Sequence, residues 1–400
     1  MPRVLALMLA GGRVDELGVI TSFRPKATVP FGGLYRIIDF PLSNLMHSGI
    51  EQVGLLSQYR SSSIIKHIGI GASWDMMGRH RGITLLPPFL GKSSTDWYKG
   101  TADAVFQNLD FIDSRKPDLV LIVSGDHIYH MDYQDIIQFH QDMEADVTLS
   151  FVHLPHNGLS RFGIAEIDDE DPRGGRIKQY WEKPEKPRFN WVSMSVYLFK
   201  VSVLRDVLEA NAKEESRHFG RDILPLLADS YRFFGYKFQK FWFYSRTLEE
   251  YWAANMELLK EKSKIKLDQW MIRTNLDHEA IRDRCPGIIG ENAYINNARF
   301  YNGVIIKGKV ENSILFPGVH VEDGAHVKDS ILFFDTQVAP GAKVARTITD
   351  IGVTIGKEAR IGEDDSELTV VGTQAQIPKR VNVDPGSSIS PNAKADFFEH

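Results

Sequence analysis

Cysteine is almost missing from this chain. Cys285 is the only one, so no intrachain disulfide can form, and a reducing compartment, most simply the cytoplasm, is the expected address. Long apolar runs are missing too. None approaches the ~20 residues that cross a bilayer, and the first run, residues 4–10, leads at once into Gly11-Gly12-Arg13, as a buried strand entering a loop does and a signal peptide does not. Excess positive charge is the third absence. A formal net charge of −5 and a pI near 6.2 give no electrostatic reason to expect nucleic acid or an anionic membrane as partner, so any phosphate site must be local. What is present, 400 residues of which 43% are hydrophobic, suffices for a large core and two domains.

Up to about residue 260, short apolar runs alternate with helical stretches, the signature of a mostly parallel sheet with crossover helices. Residues 4–10, 53–57, 119–124, 147–154, 192–199 and 234–243 read as strands; residues 39–48, 133–144, 203–212 and 247–259 read as helices. The last helix opens with Thr247-Leu248-Glu249-Glu250, a capping-box spacing. A charged stretch, 261–285, reads as a linker. From 286 to 400 the pattern changes. Val304/Val310, Val321/Val327, Val338/Val344 and Ile355/Ile361 are each spaced by six, and the units recur at a stride of seventeen, with Ser313, Ser330 and Thr347 in one phase. A six-residue period inside a coil-length repeat predicts a parallel β-helix of hexapeptide-repeat type.

Five segments carry candidate chemistry. Gly11-Gly12-Arg13 follows the first strand, where small residues let backbone N–H groups approach a phosphate. It matches neither a dinucleotide fingerprint nor a Walker loop. Arg24-Pro25-Lys26 offers cations to a transferring phosphoryl group. Asp126, in Ser124-Gly125-Asp126-His127, stands at the end of a strand, where a carboxylate holds Mg²⁺ beside a substrate phosphate or simply caps a turn. Glu182-Lys183-Pro184 sets another cation at a strand end. Trp97-Tyr98-Lys99-Gly100-Thr101-Ala102-Asp103 has an aromatic, glycine and hydroxyl order suited to reading a base.

Taken in order, these segments resemble the glucose-1-phosphate adenylyltransferases, also called ADP-glucose pyrophosphorylases. The resemblance runs nearly end to end and includes Leu9 to Arg13, Arg24-Pro25-Lys26-Ala27, Tyr35 to Phe40, Gln58-Tyr59, Trp97 to Val105, Gly125 to Tyr129, Glu182-Lys183-Pro184 and Ser193-Met194. It implies a Rossmann-like nucleotidyltransferase domain followed by a left-handed parallel β-helix. It also implies transfer of an adenylyl group from ATP to glucose 1-phosphate, with Mg²⁺ as cofactor, in a homotetramer or a hetero-oligomer with a related subunit, serving glycogen- or starch-type glucan synthesis. Carried over, Arg13, Lys26 and Asp126 are catalytic, and Asp126 is the metal ligand. Gly11, Gly12, Tyr98, Gly100 and Thr101 contact the nucleotide; Glu182, Lys183 and Ser193 bind the sugar phosphate.

Three departures from the family pattern bear on activity. Glu16 stands where the pattern has a catalytic arginine after the glycine loop. Tyr244 replaces the aspartate of a Trp-x-Asp-Val-Gly-Thr segment, here Trp242-Phe243-Tyr244-Ser245-Arg246-Thr247. His218 replaces an aspartate ahead of Phe219-Gly220. Three readings follow. The first is an active enzyme in which Arg13, Arg24 or Arg246 restores positive charge, acting on these substrates or as a pyrophosphorylase for another sugar phosphate or nucleotide. The second is a weak or silent regulatory subunit of the same family. The third, an acyltransferase on the repeat, needs a histidine base, and His326 falls in an outward phase with Lys343 and Arg360.

Overall fold

The computed structural model describes residues 2–12, 15–88, 97–155, 158–169 and 171–398. They form two compact units. The first comprises residues 1–12, 40–61 and 68–242, and the second residues 13–39, 62–67 and 243–400.

The first unit is built on a nine-stranded sheet. Its strands are β1 (Val4–Leu9), β2 (Gln52–Leu56), β3 (Gly82–Leu86), β4 (Leu119–Ser124), β5 (Val147–His153), β6 (Gly163–Ile167), β7 (Gly174–Glu182), β8 (Trp191–Lys200) and β9 (Phe233–Phe238). The spatial order is β3-β2-β1-β4-β8-β5-β9-β7-β6. The four strands β3, β2, β1 and β4 are mutually parallel, as expected. The other half is mixed: β8 runs antiparallel to both β4 and β5, and β6 and β7 form an antiparallel pair. A parallel neighbour needs a crossover of a dozen or more residues, and the connection between β6 and β7 is too short for one. Leu5, Leu7, Val120, Ile122, Val147, Leu149, Phe151 and Phe199 bury the sheet's core. The helices expected near 39–48, 133–144 and 203–212 are present as α1 (Asp39–His47), α2 (Tyr133–Asp142) and α3 (Val201–Asn211).

The second unit carries the repeat. Val310, Val327, Val344 and Ile361 stack in parallel register, as do Val321, Val338 and Ile355, all buried around one apolar axis. One register differs from the expectation: Ile306, not Val304, pairs with Val321. That coil is shortened between Ile306 and Val310, where Gly308 passes so close to the next coil that a Cβ would fall 2.4 Å from Ala325 O. The hydroxyl phase is a buried ladder. Ser330 N donates to Ser313 Oγ, and Thr347 N donates to Ser330 Oγ, each at 3.1 Å. α4 (Leu248–Glu257) opens with the anticipated capping box between Thr247 and Glu250. Residues 261–285 hold a short helix, Leu267–Trp270, and bury Ile265, Leu267, Ile272 and Ile281. Among the described residues no helix is long and apolar enough to cross a membrane.

Candidate functional site

In the first unit, the order β3-β2-β1-β4 places a topological switch between β1 and β4, whose carboxyl ends carry Gly11-Gly12 and Gly125-Asp126. Open α/β sheets bind ligands in that crevice. Gly125 N donates to Leu9 O at 2.9 Å, so the two loops lie side by side. Gly11 is compelled by close approach, since an added Cβ would fall 2.7 Å from the backbone N of Gln58, whereas Gly12 faces open space. Gln58, at the end of β2, accepts from Tyr98 N at 2.8 Å and ties the aromatic segment to the same edge. The sequence alone assigns Gln58 no role. Its position directly after an apolar strand was the available signal.

Asp126 Oδ1 accepts from Ser124 Oγ at 2.5 Å and lies 3.5 Å from His127 Nε2, with a fifth of its side chain exposed. Tyr98 is buried, its hydroxyl donating to Leu86 O at 2.9 Å, while Trp97 beside it is exposed. Gly100 passes so close to the 217–218 segment that a Cβ would meet Arg217 O at 2.1 Å. Thr101 Oγ1 accepts from Phe219 N at 3.1 Å. Asp103, fully buried, pairs with Arg217 at 2.7 Å and locks the same segment. This fixes the backbone around His218, whose side chain is exposed.

A second group lies on β7 and β8. Tyr180 OH donates to Glu182 Oε2 at 2.8 Å, and Ser193 lies beside the Tyr180 and Tyr197 phenols. Burial, with Glu182 adding its charge, pushes the Tyr197 phenol up to about 12. Gly163 and Gly220 make room for Glu182: a Cβ on either would come within 3 Å of its carboxylate. The pairing of β8 with β5 shifts register between Ser193 and Tyr197, a bulge of the kind that re-aims side chains beside sites. Lys183 (φ 49°) and Ser195 (φ 54°) both sit in the left-handed region, a strain that non-glycine residues hold only where the surroundings impose it. The structure therefore gathers Glu182, Lys183 and Ser193, and adds Tyr180 and Tyr197, which the sequence reading passed over although Tyr180 shares a strand face with Glu182.

The second unit holds the remaining candidates. Arg13 lies outside the described residues. Lys26 is buried, its Nζ 3.4 Å from the centre of the Tyr244 ring. Arg24 is committed elsewhere, to a buried ion pair with Asp350 at 2.8 Å. Arg246 Nε donates to Glu16 Oε1 at 2.6 Å. A backbone hydrogen bond and then Arg246 hold the Glu16 carboxyl below its usual range. His326 bonds Glu311 at 2.6 Å on the flank of the repeat, while Lys343 and Arg360 in its phase are exposed.

Comparison with known proteins decides the kinship. The nucleotidyl transferase family model matches residues 5–261, and the GlmU-like C-terminal hexapeptide model matches residues 289–370. The chain is 43% identical over 373 residues to a glucose-1-phosphate adenylyltransferase of Halalkalibacterium halodurans, covering 92% of this chain and 95% of that one. The chain belongs to the glucose-1-phosphate adenylyltransferase family. Other relatives of that name agree: Desulforamulus reducens, 38% identical over 386 residues and 94% of each chain, and Clostridium botulinum (strain Alaska E43 / Type E3), 41% over 398 residues and 98% of each. Family membership sharpens the departures. The two positions expected to carry an arginine and an aspartate, 16 and 244, are engaged here with Arg246 and Lys26 respectively.

Proposed function

We propose that this protein transfers the adenylyl group of ATP to glucose 1-phosphate, giving ADP-glucose and pyrophosphate. The observation that carries the reading is Gly11 and Asp126 side by side at the β1–β4 switch, in a chain that matches this family over nearly its whole length. An oxygen of the sugar phosphate attacks the α-phosphorus of ATP, a new P–O bond forms, and the bond to the β-phosphate breaks. No side chain need act as a covalent nucleophile, so alignment and charge are what the protein supplies. The Gly11-Gly12 backbone meets the triphosphate, and the family resemblance gives Arg13 and Lys26 the task of neutralising the charge that develops. Gly100 and Thr101 frame the base, with Tyr98 supporting them from the core. Lys183 pairs with the sugar phosphate, while Glu182, oriented by Tyr180, and Ser193 receive sugar hydroxyls.

Mg²⁺ fits Asp126. Among the described residues no group of three His, Cys, Asp or Glu side chains is arranged to hold a metal, but Mg²⁺ commonly takes one or two carboxylates and fills its shell with substrate phosphate and water. Bound there, it would draw charge from the phosphoryl oxygens. Exposed Ile288, Ile289, Tyr294 and Phe300 on the first coil of the repeat support assembly, as a homotetramer or with a related subunit, because they stand on strands that end their sheets, and apolar side chains on open strand edges are costly to leave in water. A cytoplasmic setting accords with the lone, exposed Cys285 thiol.

A second reading is a silent subunit that binds these ligands and modulates a catalytic relative. The Tyr244 ring over Lys26 and the carboxylate at Glu16 favour it. One assay separates the two: pyrophosphate release by the purified protein with ATP, glucose 1-phosphate and Mg²⁺. We expect release, lowered at least ~100-fold by Asp126→Asn, the scale on which charge stabilisation at a phosphoryl centre acts. No release alongside retained ATP binding would establish the silent subunit instead.

A further inference from the structure

Glu16, Lys26, Tyr244 and Arg246 form one cluster within the second unit. Lys26 Nζ faces the Tyr244 ring at 3.4 Å, Arg246 Nε donates to Glu16 Oε1 at 2.6 Å, and a second Arg246 nitrogen, Nη2, pairs with the same oxygen. The positive charge of Lys26 also reaches Glu16, and that of Arg246 reaches Tyr244. The family pattern has arginine at 16, aspartate at 244 and glycine at 246. Against that pattern the chain has moved both charges rather than lost them. The guanidinium has passed from position 16 to position 246, the carboxylate from 244 to 16, and the net charge of the cluster is unchanged.

Simple decay of a phosphate site gives no reason for a gained arginine to stand against a gained glutamate. We propose that Arg246 is a guanidinium that binds the nucleotide's phosphates in this protein, with Glu16 as the carboxylate that occupies it until the ligand displaces it. This rests on the reading that the triphosphate is met at Lys26. The geometry suits the role. The Arg246 side chain is 42% exposed and its Glu16 partner 41%, so both are within reach of a solute. An exposed carboxylate pair is weak and exchangeable, and a guanidinium fork binds phosphate bidentately. The backbone stays fixed while the side chain swings, because Arg246 N donates to Glu250 Oε2 at 2.7 Å within the cap of α4. Tyr244 in turn shields the Lys26 ammonium with its ring, a contact a phosphate anion displaces.

The test is ATP binding by calorimetry on the full chain, without requiring turnover. Arg246→Ala is expected to weaken ATP at least ~10-fold, the loss of one charge-assisted bidentate contact, and Arg246→Lys to weaken it less. Glu16→Gln is expected to tighten ATP several-fold by removing the competing carboxylate, and glucose 1-phosphate affinity is expected to stay within twofold in all three. Arg282→Ala, an exposed arginine elsewhere in the unit, serves as the charge control, and thermal melting of each variant reports folding. Arg246→Ala binding ATP as wild type does, or Glu16→Gln weakening ATP as much as Arg246→Ala, overturns the proposal while leaving the nucleotide reading intact. A folded wild-type protein that does not bind ATP overturns both.

Discussion

At the scale of single residues, the site is shaped by glycines whose replacement is forbidden by neighbouring atoms rather than by backbone angle. Gly100 has an extended backbone open to any residue, yet a Cβ there would overlap Arg217 O, a backbone atom locked by the Asp103–Arg217 pair. Gly100→Ala is therefore expected to lower stability by about 2–3 kcal/mol, within the range of overpacking, measured by urea denaturation. Gly220 is the contrasting case. The atoms it would strike belong to the Glu182 carboxylate, a side chain that can move, so the cost of filling it falls on sugar-phosphate recognition more than on folding.

At the scale of elements, two local devices fix structure that packing alone would leave loose. The capping box at Thr247 satisfies the amide of Glu250 with the Thr247 hydroxyl, and the Glu250 carboxylate reaches back to Thr247 N and to Arg246 N. Thr247→Ala is expected to cost about 1 kcal/mol by the same denaturation experiment, and to loosen the segment that carries Arg246. The hydroxyl ladder does comparable work in the repeat. Ser313, Ser330 and Thr347 each donate to the carbonyl two residues back within their own coil, and Ser313 and Ser330 accept the amide of the next, which carries register from coil to coil through buried polar contacts. The first is legible from four consecutive residues; of the second the sequence shows the recurrence of Ser313, Ser330 and Thr347 but not the bonds they make. The antiparallel course of β8 is not legible. Nothing in an apolar run states its direction, which is settled by the length and packing of the connections around it.

At the scale of the whole molecule, stability depends on histidines kept neutral by burial. Burial lowers His140, which hydrogen-bonds Thr148 at 2.8 Å in the first unit, to about 4. Burial, with Arg36 nearby, lowers His278 in the second unit to about 4 as well. A histidine lowered in the folded state takes up its proton first in the unfolded chain, so its contribution is present above about pH 6.5 and is lost as pH falls towards about 4. The melting temperature is expected to fall across that window, and His140→Gln to flatten part of the fall.

The amino-acid sequence by itself determined the fold class, the repeat and the order of the candidate segments, because a period of six and the alternation of strand and helix are properties of residues near one another in the chain. The tertiary structure decided what those residues face. Glu16 and Arg246 are 230 positions apart, and along the chain Arg246 is only one of three arginines, with Arg13 and Arg24, that stand as candidates to restore the charge lost at position 16. Only the fold sets one against the other, because a carboxylate and a guanidinium interact through the distance between them in space and not along the chain.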